Sequence, residues 1–140
     1  MRVLVDTHVL LDVLGRREPF WPQACHVWTL AETGRLEARI SAISYNSTYY
    51  IARKWGGKEK AENALRLLRD VFETVDLTGK VLLQAMDSGM DDFEDAIQYF
   101  SALHGGAGTI VTRNPGDFPR TGPTVLTPGE LLASLETARD

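Results

Sequence analysis

The sequence predicts an α/β fold in which helices cover both faces of a parallel sheet. Short apolar segments alternate along the chain with helical segments of about ten residues or more, and such alternation is typical of strands joined by crossover helices. The 140 residues contain no linker, repeat or low-complexity stretch, and the length suits one domain that buries a substantial core. We therefore expect a single domain over residues 1–140.

The elements of the N-terminal half follow from apolar patterns and from the glycines and prolines that interrupt them. They are a strand over Arg2–Asp6, a helix over Thr7–Leu14, a helix that starts near Pro19 and Pro22 and ends at Gly34, a strand over Glu37–Ser41, and helices over Ala42–Trp55 and Lys58–Phe72. Gly56 and Gly57 separate the last two helices, because glycine readily adopts the conformations that end a helix.

The C-terminal half continues the alternation. Its elements are a short strand over Phe72–Asp76, helices over Thr78–Asp87 and Asp92–His104, a strand over Thr109–Thr112, a turn at Asn114–Asp117, a strand over Thr124–Leu126 and a final helix. Thr127 is the expected N-cap of that helix, with Pro128 at its first position and Glu130 completing a capping box.

Composition excludes several classes of protein. Cys25 is the only cysteine, so the chain forms no internal disulfide and suits a reducing compartment, which predicts a cytoplasmic location. No apolar run approaches the roughly 18 residues of a membrane span, and we expect no membrane partner. The formal net charge of −4 argues weakly against a protein that coats nucleic acid by bulk charge.

The net charge conceals an uneven distribution. Residues 35–69 contain eight basic and three acidic residues, whereas residues 70–117 contain two basic and nine acidic residues. One interpretation is a pair of solvated helix faces, which is the common meaning of charge runs. The other is a basic surface beside an acidic pocket. Aromatic residues in the basic segment could stack on nucleobases, although their helical spacing favours core packing; they are Tyr45, Tyr49, Tyr50 and Trp55.

Polar residues follow two of the predicted strands. Asp6 ends the first strand, and Asn114 and Asp117 follow the strand over Thr109–Thr112 within a few residues. Ligands of parallel sheets bind at the carboxyl ends of the strands, near the point where the strand order reverses. If the two strands are neighbours, these three side chains converge.

The helix over Asp92–His104 contributes further carboxylates. On a helical wheel, Asp92 and Asp95 lie at one border of the apolar stripe, whereas Glu94 points away from it. A plain capping role accounts equally well for acids in a first helical turn. Asp6 is harder to explain in that way, because burying a carboxylate is costly unless it has a partner.

A divalent cation would resolve the repulsion among converging carboxylates. All-oxygen ligands favour Mg²⁺ or Mn²⁺ over zinc. Such a site suits the hydrolysis of phosphodiesters, since the metal polarises the phosphate and stabilises the leaving oxygen. The basic segment could then hold the rest of a negatively charged polymer.

Several motifs in order resemble PIN-domain proteins, and in particular the VapC-like toxin ribonucleases of type II toxin–antitoxin pairs. The motifs are VLVDTHVLLDVL, SAISYNSTYYIARK, DDFEDAIQYFSA, and TIVTRNPGDF followed by VLTPGELL. The resemblance implies a three-layer α/β/α sandwich with a central parallel sheet of four or five strands. It also implies Mg²⁺- or Mn²⁺-dependent cleavage of RNA, a cognate antitoxin and a homodimer.

The resemblance also assigns roles by position. Asp6, Asp95 and Asp117 match metal-binding catalytic acids, Asp92 lies one turn before Asp95, and Asn114 matches the polar residue beside the last acid. Thr7 and Thr112 match supporting groups. Where the family usually has a Glu after the second strand, this chain has Asn46. Arg53, Lys54 and Lys58 are candidate contacts to RNA or antitoxin. The alternative is a catalytically weak or inactive module of the same fold that binds RNA or protein.

Overall fold

The computed structural model describes residues 1–139 and contains five strands and six helices. The strands are β1 (Arg2–Val5), β2 (Glu37–Ser41), β3 (Glu73–Val75), β4 (Thr109–Val111) and β5 (Thr124–Leu126). The helices are α1 (Thr7–Leu14), α2 (Trp21–Glu32), α3 (Ile43–Val71), α4 (Gly79–Asp87), α5 (Phe93–His104) and α6 (Pro128–Arg139). A single 3₁₀ turn covers Pro115–Asp117. Each predicted strand and helix is thus present within a few residues of its expected limits.

The five strands form one parallel sheet in the order β3-β2-β1-β4-β5. The chain builds the sheet outward from β1 to β3 and then returns to the other side of β1 with β4. The strand order therefore reverses between β1 and β4, whose registered pairs include Leu4 with Ile110 and Val5 with Val111. Ligand sites of open parallel sheets lie at this kind of reversal.

Helices cover both faces of the sheet, which confirms the predicted α/β/α sandwich. Alternate strand residues enter different cores, because successive side chains of a strand point to opposite faces. Val3, Val5 and Val111 pack with residues of α1, α2, α3 and α6, whereas Leu4 and Ile110 pack with residues of α5 such as Tyr99. A further apolar cluster joins α4 to α5.

Helix α3 bends where two helices were predicted to meet. Gly56 and Gly57 have non-helical backbone angles within it, and Gly57 has a φ of +83°, a region that side-chain-bearing residues seldom occupy. The segment is therefore two helices joined at a kink, as the glycine pair predicts. The part before the kink is the one that contacts the carboxyl end of β2.

The helix ends follow the predicted capping. Thr127 and Glu130 form the expected capping box at α6, with Glu130 N donating to the Thr127 hydroxyl and Thr127 N donating to Glu130 Oε1. Asp6 and Asp92 occupy the N-cap positions of α1 and α5. Among the helices of the described residues, none is long and apolar enough to cross a membrane.

Candidate active site at the carboxyl end of the sheet

Asp6 lies at the centre of the candidate site, directly after β1. It is 2% exposed, and its two carboxylate oxygens accept different hydrogen bonds. Thr7 N donates to Oδ1 at 2.9 Å, and the Thr112 hydroxyl donates to Oδ2 at 3.0 Å. These two bonds fix the carboxylate at the boundary between β1 and β4. No Lys or Arg side chain of the described residues forms an ion pair with it.

The neighbouring strand β4 brings the second group of predicted residues to the same edge. Asp6 N donates to Val111 O, which joins the ends of β1 and β4. Thr112 is buried, and its hydroxyl also accepts a hydrogen bond from Asn114 N at 3.3 Å. Asn114 and Asp117 are exposed at the two sides of the 3₁₀ turn. The condition for convergence, that the first and fourth strands be neighbours, is therefore met.

The N-terminus of α5 supplies the remaining predicted acids. Asp92 caps the helix, because its Oδ1 accepts a hydrogen bond from Asp95 N at 2.9 Å, and its side chain is exposed. Asp95 is half-buried one turn later. The two acids therefore differ in environment. The Asp92 carboxylate accepts the helix-capping hydrogen bond, whereas the Asp95 carboxylate forms no side-chain hydrogen bond within residues 1–139.

Electrostatic coupling shows that these acids share one region. Burial and the negative charges of Asp6, Asp92, Asp117 and Glu94 raise the pKa of Asp95 to about 7. Burial also raises the pKa of Asp6, although the hydrogen bond from Thr112 and the nearby His8 oppose this effect; the charge of Glu94 adds a smaller increase. Mutual repulsion of this kind is the expected state of carboxylates that lack a neutralising partner.

The helical wheel directs Glu94 away from the apolar stripe and so left it out of the candidate site, but the structure places it there. Its Oε1 accepts hydrogen bonds of 3.1 Å from both the Thr7 and the Ser47 hydroxyls, and so it lies between α1 and α3 beside Asp6. No hydrogen bond or ion pair within the described residues involves Oε2. The helical wheel identified the apolar stripe but treated the polar side of α5 as solvated, whereas that side packs against other elements.

A buried polar network lies beneath Glu94. Gln98, which is fully buried, donates from Nε2 to the Thr7 and Ser44 hydroxyls at 3.1 and 3.2 Å. The Thr7 and Ser44 hydroxyls are 2.8 Å apart, and one turn further along α5 the Ser101 hydroxyl donates to Ser41. The spacing of Glu94, Gln98 and Ser101 places them on one face of a helix. That i, i+4, i+7 polar pattern was the sequence signal for the network.

An ion pair between Asp12 and Arg113 lies next to the site. Asp12 is 1% exposed on α1, and its carboxylate lies 2.9 Å from Arg113 Nε and 3.8 Å from Arg17 Nη1. The Arg113 guanidinium also stacks over the Phe20 ring, with 4.1 Å between its Cζ and the ring centroid. Because Arg113 directly follows Thr112, this ion pair anchors the start of the loop that carries Asn114 and Asp117.

The basic segment does not form a single surface. Arg35 precedes β2, and Arg39 donates to Gly105 O before β4, so both lie toward the amino ends of the strands, away from Asp6. Of the three predicted contact residues, Lys58 pairs with Glu62, and Arg53 donates to the Tyr49 hydroxyl. Lys54 has no acidic partner in the described chain.

The aromatic residues of α3 are likewise divided. Tyr45 and Tyr49 pack against the core clusters, as their spacing favours. Tyr50 is 61% exposed, and the Lys54 ammonium lies 4.2 Å from the centroid of its ring. Asn46, one turn before Tyr50, is exposed. The residues of α3 that face Glu94 are therefore neutral, and α3 adds no carboxylate to the site.

The donor set fits a hard divalent cation. It consists of carboxylate oxygens with hydroxyl and amide groups around them, which suits Mg²⁺ or Mn²⁺ better than a soft metal. The raised pKa of Asp95 reflects burial and, in addition, the negative charge of neighbouring acids, which a cation would neutralise. Within residues 1–139 no three His, Cys, Asp or Glu side chains are grouped closely enough to hold a metal ion.

Comparison with known proteins adds a family and a set of similar folds. The family model described as PIN domain matches residues 2–115. No curated protein matches the sequence significantly.

Three solved structures illustrate the similarity in fold. A toxin–antitoxin complex from Klebsiella pneumoniae aligns with a TM-score of 0.67 and 22% identity, covering 90% of this chain and 97% of the other. VapBC2 from Rickettsia felis, bound to a DNA fragment from its promoter, gives 0.65 and 18%, with coverages of 90% and 97%. VapC20 of Mycobacterium tuberculosis, a toxin that cleaves the sarcin–ricin loop, gives 0.65 and 17%, with coverages of 77% and 86%.

Proposed function

The chain belongs to the PIN-domain family, and on that premise we propose that it is a metal-dependent endoribonuclease that hydrolyses RNA phosphodiester bonds. The main support is the grouping of Asp95 with Asp6 and Asp117, because burial and the charges of these neighbours raise the pKa of Asp95 to about 7. Carboxylates from three separate elements, without a Lys or Arg partner at Asp6 in the described residues, give the site a charge that suits a divalent cation.

Mg²⁺ or Mn²⁺ would be held by Asp6, Asp95 and Asp117, with Asp92 as a further ligand. When bound, the cation would polarise the scissile phosphate and stabilise charge on the leaving oxygen. Asp117 is exposed, and Asp92 would give up the cap hydrogen bond from Asp95 N if its side chain turned toward a cation.

The side chains around the cation would hold the carboxylate oxygens in place and set their charge. Thr112 and the backbone of Thr7 hold the two oxygens of Asp6, so that this carboxylate does not reorient when substrate arrives. Burial and the neighbouring acids raise the pKa of Asp95 to about 7, and a cation bound between these carboxylates would favour its charged form. Asn114, beside Thr112, offers an uncharged amide to a phosphate oxygen.

Glu94 supplies a further carboxylate in this proposal. Its Oε1 accepts hydrogen bonds from Thr7 and Ser47. These contacts also orient Oε2, which forms no hydrogen bond or ion pair within residues 1–139. The site thereby gains a negative group from α5 in the place where α3 offers only Asn46 and Ser47. We assign Glu94 to the metal-binding set on this basis.

We further propose that the chain is the toxin of a type II toxin–antitoxin pair. Similarity in fold to toxins of VapBC complexes supports this role. Arg53, Lys54 and Lys58 lie on exposed parts of α3 and could contact RNA or an acidic antitoxin segment. Exposed apolar side chains on α4 and α5, namely Leu83, Met86 and Leu103, are candidates for a homodimer contact, which the molar mass in solution would test.

The alternative is an inactive module of the same fold that binds RNA or protein. The neutral residues of α3 and the open spacing of the acids favour it. Incubation of single-stranded RNA with Mg²⁺, Mn²⁺ or EDTA, using the parent chain and Asp6→Asn, separates the two. Cleavage that requires metal and is lost in Asp6→Asn supports the nuclease. RNA binding without cleavage in either metal would replace it with the alternative.

A further inference from the structure

A cavity of about 270 Å³ opens beside the candidate active site, between α1 and α3. Thr7 and Glu94 form the wall that it shares with the acidic cluster. Asn46 and Tyr50 of α3 and Arg17 also line it. Whatever occupies this cavity is therefore held next to the carboxylates.

The size and lining of the cavity suit one flat heterocycle. Its volume is just below the roughly 300–1,000 Å³ of pockets that enclose drug-sized ligands, which suits a group the size of one base. Leu11 and Ile51 provide apolar surface, and the Tyr50 ring adds an aromatic face. Unpaired nucleobases bind proteins through this combination of stacking and edge contacts.

Asn46 is placed to read the edge of such a base. It precedes Tyr50 by four residues on α3, so the amide and the ring lie on the same face of the helix. The Asn46 side chain is exposed and forms none of the side-chain hydrogen bonds found in residues 1–139. An amide with a free donor and a free acceptor can pair with the edge of a base.

Two cations lie near these lining residues. Lys54 lies over the Tyr50 ring, at 4.2 Å from its centroid. The Arg17 guanidinium is fixed between Asp12, at 3.8 Å, and the Trp55 ring, at 5.6 Å. Positive groups near an aromatic pocket suit the phosphates that flank a nucleotide. These cations would offset the repulsion that Glu94 exerts on the same phosphates.

We propose that this cavity binds one unpaired base of the RNA substrate, next to the phosphate that is cleaved, and selects that base through Asn46. Tyr50 supplies stacking that all bases share, and the Asn46 amide distinguishes among them. The inference rests on the proposed ribonuclease function, because it is that function which places RNA at the carboxylates.

The test measures binding rather than cleavage. Affinities for fluorescent single-stranded oligonucleotides of A, C, G and U are measured with Ca²⁺, a hard cation with oxygen ligands, in place of Mg²⁺. The parent chain should prefer one base. Asn46→Ala should reduce the preference to less than about twofold, whereas Asn63→Ala, an exposed asparagine beyond the kink, should keep it. Tyr50→Ala should weaken binding of every oligonucleotide by roughly tenfold, and Tyr50→Phe should retain it.

The outcomes separate this inference from the proposed function. The predicted pattern in a chain that cleaves no RNA would support the pocket while the nuclease proposal fails. Unchanged base preference in Asn46→Ala together with unchanged affinity in Tyr50→Ala would overturn the pocket, even in an active nuclease. If Asn46→Ala and Tyr50→Ala leave RNA binding unchanged but both weaken the binding of a protein partner, the proposal is also overturned. The cavity would then be assigned to that partner.

Discussion

The Ser47 hydroxyl donates a 3.1 Å hydrogen bond to Glu94 Oε1, and so joins α3 to the first turn of α5 at the edge of the acidic site. Thr7 donates to the same oxygen from α1. The negative charge at this point therefore comes from α5, and α3 contributes only a donor. This arrangement leads to a test in which the charge is moved from one helix to the other.

Glu94→Gln should weaken Mn²⁺ binding by roughly 10- to 100-fold, because it removes one carboxylate from the proposed metal-binding set. Titration calorimetry measures this directly. Asp91→Asn is the matched control, since it removes the same charge from an exposed position nearby and should bind Mn²⁺ as the parent does. Combining Glu94→Ser with Ser47→Glu should restore much of the affinity. Full Mn²⁺ affinity in Glu94→Gln would exclude Glu94 from the site.

Asp6→Asn and Asp95→Asn should each reduce metal-dependent cleavage of RNA by at least about 100-fold, because ligand loss costs no less than loss of a supporting group. Both variants should unfold in EDTA at the parent's temperature or higher, since neutralising one carboxylate relieves repulsion from the others. Thermal unfolding followed by circular dichroism measures the second effect. A large loss of stability would instead indicate that these acids maintain the fold.

Asp95 should make stability in EDTA depend on pH with a definite sign. Its pKa is raised from 3.8 to about 7 in the folded chain, so the folded state holds a proton that the unfolded state releases between these values. The contribution of Asp95 to the free energy of unfolding is fully present below pH 3.8 and is lost as the pH rises through about 7. The unfolding free energy of Asp95→Asn should therefore exceed that of the parent increasingly over this range. If the difference in unfolding free energy between Asp95→Asn and the parent stays constant from pH 4 to 8, the pKa of Asp95 is not raised.

Arg113→Met should destabilise the chain by about 3 kcal/mol, because it leaves the buried Asp12 carboxylate with only the more distant Arg17. Urea denaturation gives the value. Adding Asp12→Leu to Arg113→Met should recover most of the loss, since an apolar pair replaces a buried charge without a partner. If the single variant is as stable as the parent, the ion pair does not anchor the loop that carries Asn114.

Much of the fold was predictable because its signals are local. The apolar segment before Asp6, the capping box at Thr127 and the glycine pair at Gly56 each specify an element from adjacent residues. The positions of Asp6 and Asn114 at strand ends also followed from the sequence. Their convergence depended on whether β1 and β4 are neighbours, which the sequence left open and the observed strand order confirms.

Glu94 shows why the rest was not predictable. A helical wheel separates apolar from polar residues, and it assigns the polar side to solvent unless another element is known to cover it. In α5 that side is covered by Thr7 of α1 and Ser47 of α3, residues that are 87 and 47 positions away from Glu94. The location of the carboxylate therefore depends on packing between helices that are distant in sequence.

The sequence by itself determined the order of strands and helices, the caps, and the carboxylates that follow β1 and β4. These features depend on backbone preferences and side-chain patterns within a few residues. Only the tertiary structure decided which acids lie close enough for their charges to interact, and that Glu94 is one of them. It also decided that a cavity lies beside them between α1 and α3. Charge–charge interactions and cavities depend on distances through space, and those are set when the sheet brings β1 and β4 together.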